Sequence, residues 1–276
     1  MAALSDGPAA LTRSVSEEAT IQWYPGHMAK AMRRLGEDLR AIDIVIEVAD
    51  ARVPQAGTNS NLARLLGERP RILVLTREHL AAPAETAAWL AYLRASGRVA
   101  LAVDAKDRTG IAQLRAALET LAAGRRSARA IVLGIPNAGK STAINAIAGR
   151  HVARAEDRAG VTRARQWFRI GTLEIMDTAG ILAPKIETAE QQWKLALVGG
   201  VPRARFDAED VIGRFHRWLV ATDPATEVPN LATYAQSRGF VRRGSIVDTH
   251  NAAWSYLKDW SDGKFGRMTL EQPPAS

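Results

Sequence analysis

The chain predicts a mostly parallel α/β sheet with helices on both faces, followed by a mainly helical region. Three observations carry that prediction. Apolar runs of strand length alternate with helical patterns up to about Met176, which is the signature of strands joined by crossover helices. One such run, Ala130-Ile-Val-Leu133, leads into Gly134-Ile-Pro-Asn-Ala-Gly-Lys-Ser141 and then into a good helix former, 142–148. Beyond about Ile186 the strand signals fade and helical spacing recurs.

Taken in order, Pro25-Gly26 marks a turn, which places His27 where a loop meets a helix. Met28, Met32, Leu35, Leu39 and Ile42 then fall at helical spacing, with Lys30, Arg33, Arg34 and Arg40 on other faces. Residues 42–48 read as a buried strand ending in Asp50-Ala-Arg-Val-Pro54, and 61–66 as a short helix. A second strand at 71–75 precedes Thr76-Arg77-Glu78-His79. A helix over 83–95 turns Trp89, Leu90 and Leu93 inward, 99–103 is a third strand and 111–122 a helix.

After the glycine loop and its helix, 154–165 is polar and glycine-bearing. Strands at 166–170 and 173–176 flank Gly171-Thr172, a hairpin signal. Helical patterns then cover 187–198, 208–221 and 249–261. Val211, Ile212, Phe215, Trp218 and Leu219, and later Trp254, Leu257 and Trp260, repeat at helical spacing. They therefore read as core rather than as stacking platforms.

Composition bounds the function. The 276 residues suffice for one large or two modest domains, and 47% hydrophobic with 24% charged is ordinary for a globular protein. There is no cysteine, which excludes disulfides, thiolate metal sites and a cysteine nucleophile. A formal net charge of +8 points to a polyanionic partner, nucleic acid first. No apolar run approaches the ~20 residues of a membrane span. The first 20 residues contain Asp6, Glu17 and Glu18 and read as a frayed tail rather than a signal peptide.

The stretch 134–141 is G-x-x-x-x-G-K-S, the phosphate-loop pattern, in its proper strand-to-helix setting. Loop amides and the helix N-terminus would surround a phosphate. Lys140 would reach the β- and γ-phosphates, and Ser141 would hold Mg²⁺. Downstream, Thr162 of Gly160-Val-Thr162 is placed to complete the Mg²⁺ shell, and Asp177 ends a strand on the same side. The Gly180 amide of Asp177-Thr-Ala-Gly180 can bond the γ-phosphate.

These residues resemble the circularly permuted GTPases of the YlqF/RbgA group, in which the guanine-reading motifs precede the phosphate loop. The matches include Trp23-Tyr-Pro-Gly-His-Met-Ala-Lys30, Asp50-Ala-Arg-Val-Pro54, the phosphate loop, Gly160-Val-Thr162, Gln166-Trp167 and Asp177-Thr-Ala-Gly-Ile-Leu182. Gly244-Ser-Ile-Val-Asp248 and Gly263-Lys-Phe-Gly-Arg267 add to them.

The resemblance implies a circularly permuted Ras-like P-loop GTPase domain over 21–185 and a helical RNA- or ribosome-binding domain over 186–276, after a tail at 1–20. It implies GTP hydrolysis in large ribosomal subunit assembly, with GTP or GDP, the large-subunit precursor and rRNA as partners. A monomer in the cytoplasm, away from membranes, is expected. The alternative is a nucleotide-gated rRNA-binding factor with relaxed base specificity and little turnover.

By the same resemblance the phosphate set is Asn137, Ala138, Gly139, Lys140, Ser141, Thr142 and Gly180, and the metal set Ser141, Thr162 and Asp177. Mg²⁺ is the cofactor, and Asn137 maps onto a residue linked to potassium. The family lacks the catalytic glutamine after its Asp-x-x-Gly motif, and here that position is Ile181. His27 maps onto the proposed replacement, a histidine that would orient the attacking water.

The base side departs from the family. The family's Asn-Lys-x-Asp aligns with Thr76-Arg77-Glu78-His79, so the carboxylate that accepts two bonds from guanine is replaced by His79. Glu78 would take its place only after a one-residue shift that turns its side chain away. The next base-side loop, Ser-Ala-like in the family, is Asp104-Ala105. Ala159 stands where the family has a proline before Gly160-x-Thr162, a minor change in loop stiffness. Thr76, Arg77, Asp104 and Ala105 are thus the expected base-side residues. Arg238, Arg242, Arg243, Lys264 and Arg267 form the expected phosphate-neutralising cluster of the tail.

Overall fold

The computed structural model describes residues 25–58, 62–153, 166–178, 186, 188–242 and 246–274, with the side chains of 25–31, 63–64, 242 and 246 outside that description. Helix α1 (Pro25–Leu39) leads into β1 (Ile44–Asp50), α2 (Leu62–Leu66) and β2 (Arg71–Thr76). A single 3₁₀ turn at Glu78–Leu80 precedes α3 (Pro83–Ala95), β3 (Val99–Ala102) and α4 (Ile111–Leu121). The phosphate-loop unit is β4 (Ala128–Leu133) and α5 (Lys140–Ala148). The hairpin β5 (Gln166–Ile170) and β6 (Leu173–Asp177) follows. Then come α6 (Ala189–Leu197), α7 (Ala208–Thr222), α8 (Leu231–Ser237), the strand pair β7 (Val241–Arg242) and β8 (Ile246–Val247), and α9 (Thr249–Ser261).

The main sheet has the order β3-β2-β1-β4-β6-β5, all parallel except β5, which runs antiparallel to β6. Counted from β4 as a first strand, this is the order second-third-first-fourth-fifth-sixth of an unpermuted Ras-like sheet. The chain therefore enters the usual sheet at its fourth strand.

The strands alternate because successive side chains point to opposite faces. Ile44, Ile46 and Val48 of β1, with Ala130 and Val132 of β4, pack on one face against Leu114 and Leu118 of α4 and Ile144 and Ile147 of α5. Val45, Ile131, Leu133 and Met176 pack on the other face against Leu35 and Leu39 of α1 and Leu62 and Leu66 of α2. Leu73 and Leu75 of β2 meet Trp89 and Leu93 of α3 on that same side. Both faces are covered, as a parallel sheet requires.

The C-terminal helices do not close a core of their own. Trp193, Leu195, Val211, Phe215, Tyr256 and Trp260 belong to the apolar cluster that contains Ile135, Val53 and the sheet face. The aromatics at helical spacing are core, as predicted: Phe215 is fully buried and Trp260 is 3% exposed. The sequence reading missed α8 and the short β7–β8 pair. Both are too brief to establish a periodicity, and α8 is started by its Asn230 cap, whose side-chain oxygen accepts from the Thr233 amide.

Candidate nucleotide site

From β1 the chain steps outward in both directions, to β2 and β3 on one side and to β4 and β6 on the other. The crevice at the carboxyl ends of β1 and β4 is thus the switch point of the sheet, where open α/β sheets bind ligands. The phosphate loop follows β4, and Asp50-Ala-Arg52 follows β1. The two backbones touch there: a Cβ at Gly134 would lie 2.3 Å from the Val48 carbonyl oxygen. Gly139 begins α5 at φ 87°, a conformation that a side chain disfavours.

Lys140 is 8% exposed and folds back over its own loop, donating to the Gly134 carbonyl at 3.0 Å and the Ile135 carbonyl at 2.7 Å. Burial pushes its ammonium down to about 8, against the pull of Asp177. Ser141 Oγ donates to Asp177 Oδ2 at 3.2 Å. Burial raises the Asp177 carboxyl, partly offset by that hydrogen bond and by the Lys140 charge. A hydroxyl and one carboxylate side by side, at the start of a helix that would cradle phosphates, are hard oxygen donors that suit Mg²⁺. An ion held there would draw its remaining ligands from phosphate and water. Ala138 is buried, Ser141 half-buried and Thr142 exposed.

Asn137 takes φ 58° and donates its side-chain nitrogen to the Gly199 carbonyl at 2.9 Å. It therefore ties the phosphate loop to the turn that follows α6. Thr162 and Gly180 lie outside the described residues. His27 lies in the first turn of α1, and its side chain is also outside them.

The base-side residues converge at the ends of β2 and β3, but they do different things. Thr76 is buried and turns inward, donating to the Ala138 carbonyl at 2.6 Å, with the Ala49 carbonyl at 3.2 Å. It braces the phosphate loop. Arg77 sits at φ 56° and reaches Asp50 Oδ2 at 3.0 Å. Its charge is committed to that carboxylate, and its side chain is 28% exposed. His79 Nδ1 lies 2.6 Å from Asp104 Oδ2. The two atoms are in contact, but the ring N–H direction is poorly aligned with the carboxylate oxygen. Asp104 Oδ1 also accepts from the Lys106 amide at 2.7 Å, and Ala105 follows half-buried.

Two features escaped the sequence reading. Asp50 and Arg52 were visible as a motif but had no assigned role. The structure makes them a buried ion pair, Nε to Oδ1 and Nη2 to Oδ2, both at 2.9 Å. Burial alone would raise the Asp50 carboxyl. The charge and hydrogen bonds of Arg52, with the Arg77 charge, outweigh it and hold the group at about 2. The second feature is the strap formed by 267–271. Arg267 donates to the Ala81 and Glu78 carbonyls, the Met268 amide to Leu80, and the Leu270 amide to Arg52. The Glu271 carboxylate caps the Gln55 and Ala56 amides. No periodicity announces an extended strap.

The strap corrects the reading of the basic tail. Arg267 spends its guanidinium on carbonyls of the base-side loop. Arg238 and Lys264 both pair with Asp259, which is 5% exposed. The Arg242 side chain and Arg243 lie outside the described residues.

A family profile described as 50S ribosome-binding GTPase matches residues 129–205. Ribosome biogenesis GTPase A of Priestia megaterium is 36% identical over 280 residues, covering 92% of this chain and 97% of the relative. The Thermotoga maritima protein of the same name is 29% identical, covering 92% and 95%. The crystal structure titled GNP-bound YlqF from T. maritima superposes with a TM-score of 0.70 at 26% identity, covering 90% of this chain and all of the other. With the unpermuted strand order restored only from β4, and with relatives matched nearly end to end, the chain belongs to the ribosome biogenesis GTPase A family, the circularly permuted YlqF/RbgA GTPases.

Proposed function

We propose that this protein hydrolyses GTP in a Mg²⁺-dependent manner during assembly of the large ribosomal subunit. The observation that carries the proposal is the convergence of Lys140, Ser141 and Asp177 at the switch point of the sheet, flanked by the loops after β2 and β3. Lys140 would exchange its two carbonyl partners for phosphate oxygens. Ser141 would hold the metal, with Asp177 behind it and Thr162 completing the shell. Mg²⁺, when bound, neutralises charge on the phosphates. Asn137, Ala138, Gly139, Thr142 and Gly180 would supply the rest of the phosphate cradle. The Asn137 side-chain oxygen is the candidate potassium ligand.

His27, at the N-terminal turn of α1, would orient the attacking water in place of the missing glutamine. The base would lie between 76–79 and 104–105. The region from 186 onward would bind rRNA, with the salt sensitivity that phosphate contacts impose. No described helix is long and apolar enough to cross a membrane.

Single-turnover GTP hydrolysis, with and without large-subunit particles, tests the reading. Stimulated hydrolysis is expected, and His27→Ala should slow it with nucleotide affinity unchanged. Equal turnover in mutant and parent removes His27 from the mechanism. Tight nucleotide and rRNA binding without turnover in either condition replaces the enzyme with a nucleotide-gated binding factor.

A further inference from the structure

The two residues that break the family pattern on the base side touch each other. His79 stands where a carboxylate is expected, and Asp104 where a serine is expected. Their side chains meet at 2.6 Å, Nδ1 to Oδ2. The acid has not simply been lost: it has moved from the loop after β2 to the loop after β3, and a histidine has taken its former place.

Burial decides which of the two faces a ligand. Asp104 is 3% exposed, and its oxygens already meet the Lys106 amide and the imidazole. It lies behind the ring. The His79 side chain is 31% exposed. A bare Nδ1 at 2.6 Å from a carboxylate oxygen would press two electron-rich atoms together, so Nδ1 carries the hydrogen even though it is poorly aligned. In the neutral ring Nε2 is then an acceptor, and it lies on the side of the ring away from Asp104. Among the described residues nothing bonds to it. The 3₁₀ turn that carries His79 is fixed from behind by Arg267 on the Glu78 carbonyl and by the Met268 amide on the Leu80 carbonyl.

We propose that His79, held by Asp104, is the base-reading residue of this chain and that it selects 6-oxopurine nucleotides as a class. The proposal rests on the reading above that the base lies between 76–79 and 104–105. A carboxylate at position 79 would accept from both N1–H and the 2-amino group of guanine, and would repel the 2-oxo group of xanthine. One imidazole nitrogen accepts from N1–H alone. Guanine, hypoxanthine and xanthine all present N1–H to it. Adenine presents a lone pair at N1, opposite the lone pair of Nε2. The substituent at C2 goes unread, whereas N1 is still read. Asp104 acts as a positioning residue, fixing the tautomer and the orientation of the ring.

The test is a set of equilibrium affinities of the full chain for GTP, ITP, XTP and ATP. The parent is expected to bind GTP, ITP and XTP within about threefold of one another. ATP should bind about tenfold or more weakly, the scale of one hydrogen bond lost to a buried acceptor. Combining His79→Asp with Asp104→Ser restores the family pattern and should bring back a GTP preference over ITP of about tenfold. A parent that already prefers GTP to ITP tenfold, or a double variant with unchanged ratios, overturns the proposal while leaving the nucleotide site intact. A parent that binds none of the four overturns the reading of the site itself, and this inference with it. Should the double variant fail to fold, His79→Ala decides: the GTP-to-ATP ratio should collapse toward unity, and an unchanged ratio rejects His79 as the reader.

Discussion

Arg52 grips Asp50 with two parallel hydrogen bonds of 2.9 Å while its third nitrogen reaches the Ser261 carbonyl at 3.3 Å, the last residue of α9. The guanidinium also lies 4.6 Å from the Trp260 ring centroid. One side chain thereby joins the end of β1, the rim of the nucleotide crevice, to the C-terminal helices. Both partners are 1% exposed. Removing Arg52 leaves the fully buried Asp50 carboxylate with only the partly exposed Arg77 as its partner. Arg52→Met is expected to cost about 3–5 kcal/mol of unfolding free energy in a denaturant titration. Adding Asp50→Asn should recover part of that loss, because the under-compensated buried carboxylate is gone.

The same pair sets an acid limit. The folded Asp50 value of about 2 lies below the ordinary 3.8. A depressed carboxyl contributes stability that is present above its unfolded value and is lost as pH falls through the folded one. The window is therefore pH ~4 down to ~2, and the contribution is about 2 kcal/mol. Thermal melts across that range should show a fall that is missing in the Asp50→Asn, Arg52→Met background.

Lys140 adds a second titration, close to neutrality. Its folded value of about 8 is lowered from 10.5, so above pH ~8 the free protein holds Lys140 partly neutral. A bound triphosphate restores the charge, and binding should take up a proton. Calorimetry in two buffers of different ionisation enthalpy should find an uptake that is larger at pH 8.5 than at pH 7. Lys140→Met should lose the difference along with most of the affinity.

The strap predicts a local effect rather than a global one. Truncation after Gly266 removes the partners of the Glu78, Leu80 and Ala81 carbonyls and of the Gln55 and Ala56 amides. Hydrogen exchange should rise at 52–56 and 78–82 while the β1 and β4 ladders stay protected. Exchange that rises equally throughout the sheet would mean the strap supports the whole fold.

Where a feature depends on neighbours in sequence, it was legible. Apolar runs and a hairpin signal placed the six strands of the main sheet, helical spacing placed α3 and α9 to the residue, and the G-x-x-x-x-G-K-S spacing located the glycine loop between β4 and α5. The order of the motifs, read through the family they resemble, announced a permuted sheet. These are local signals, because helix and strand periods and glycine conformations are properties of short segments.

Other features needed the tertiary structure, because they join residues far apart in the chain. Thr76 looked like a diminished base contact, but it braces Ala138. Arg267 looked like a phosphate contact, but it straps the base-side turn. His79 and Asp104 looked like two separate losses, and only the packing of β2 beside β3 shows that they form one pair. The sequence by itself determined an α/β fold built around a phosphate-loop pattern, and its resemblance supplied the permutation. Which polar groups face the ligand and which are consumed in holding the site together was decided by burial, since a buried polar atom must find its partner wherever the fold brings one within reach.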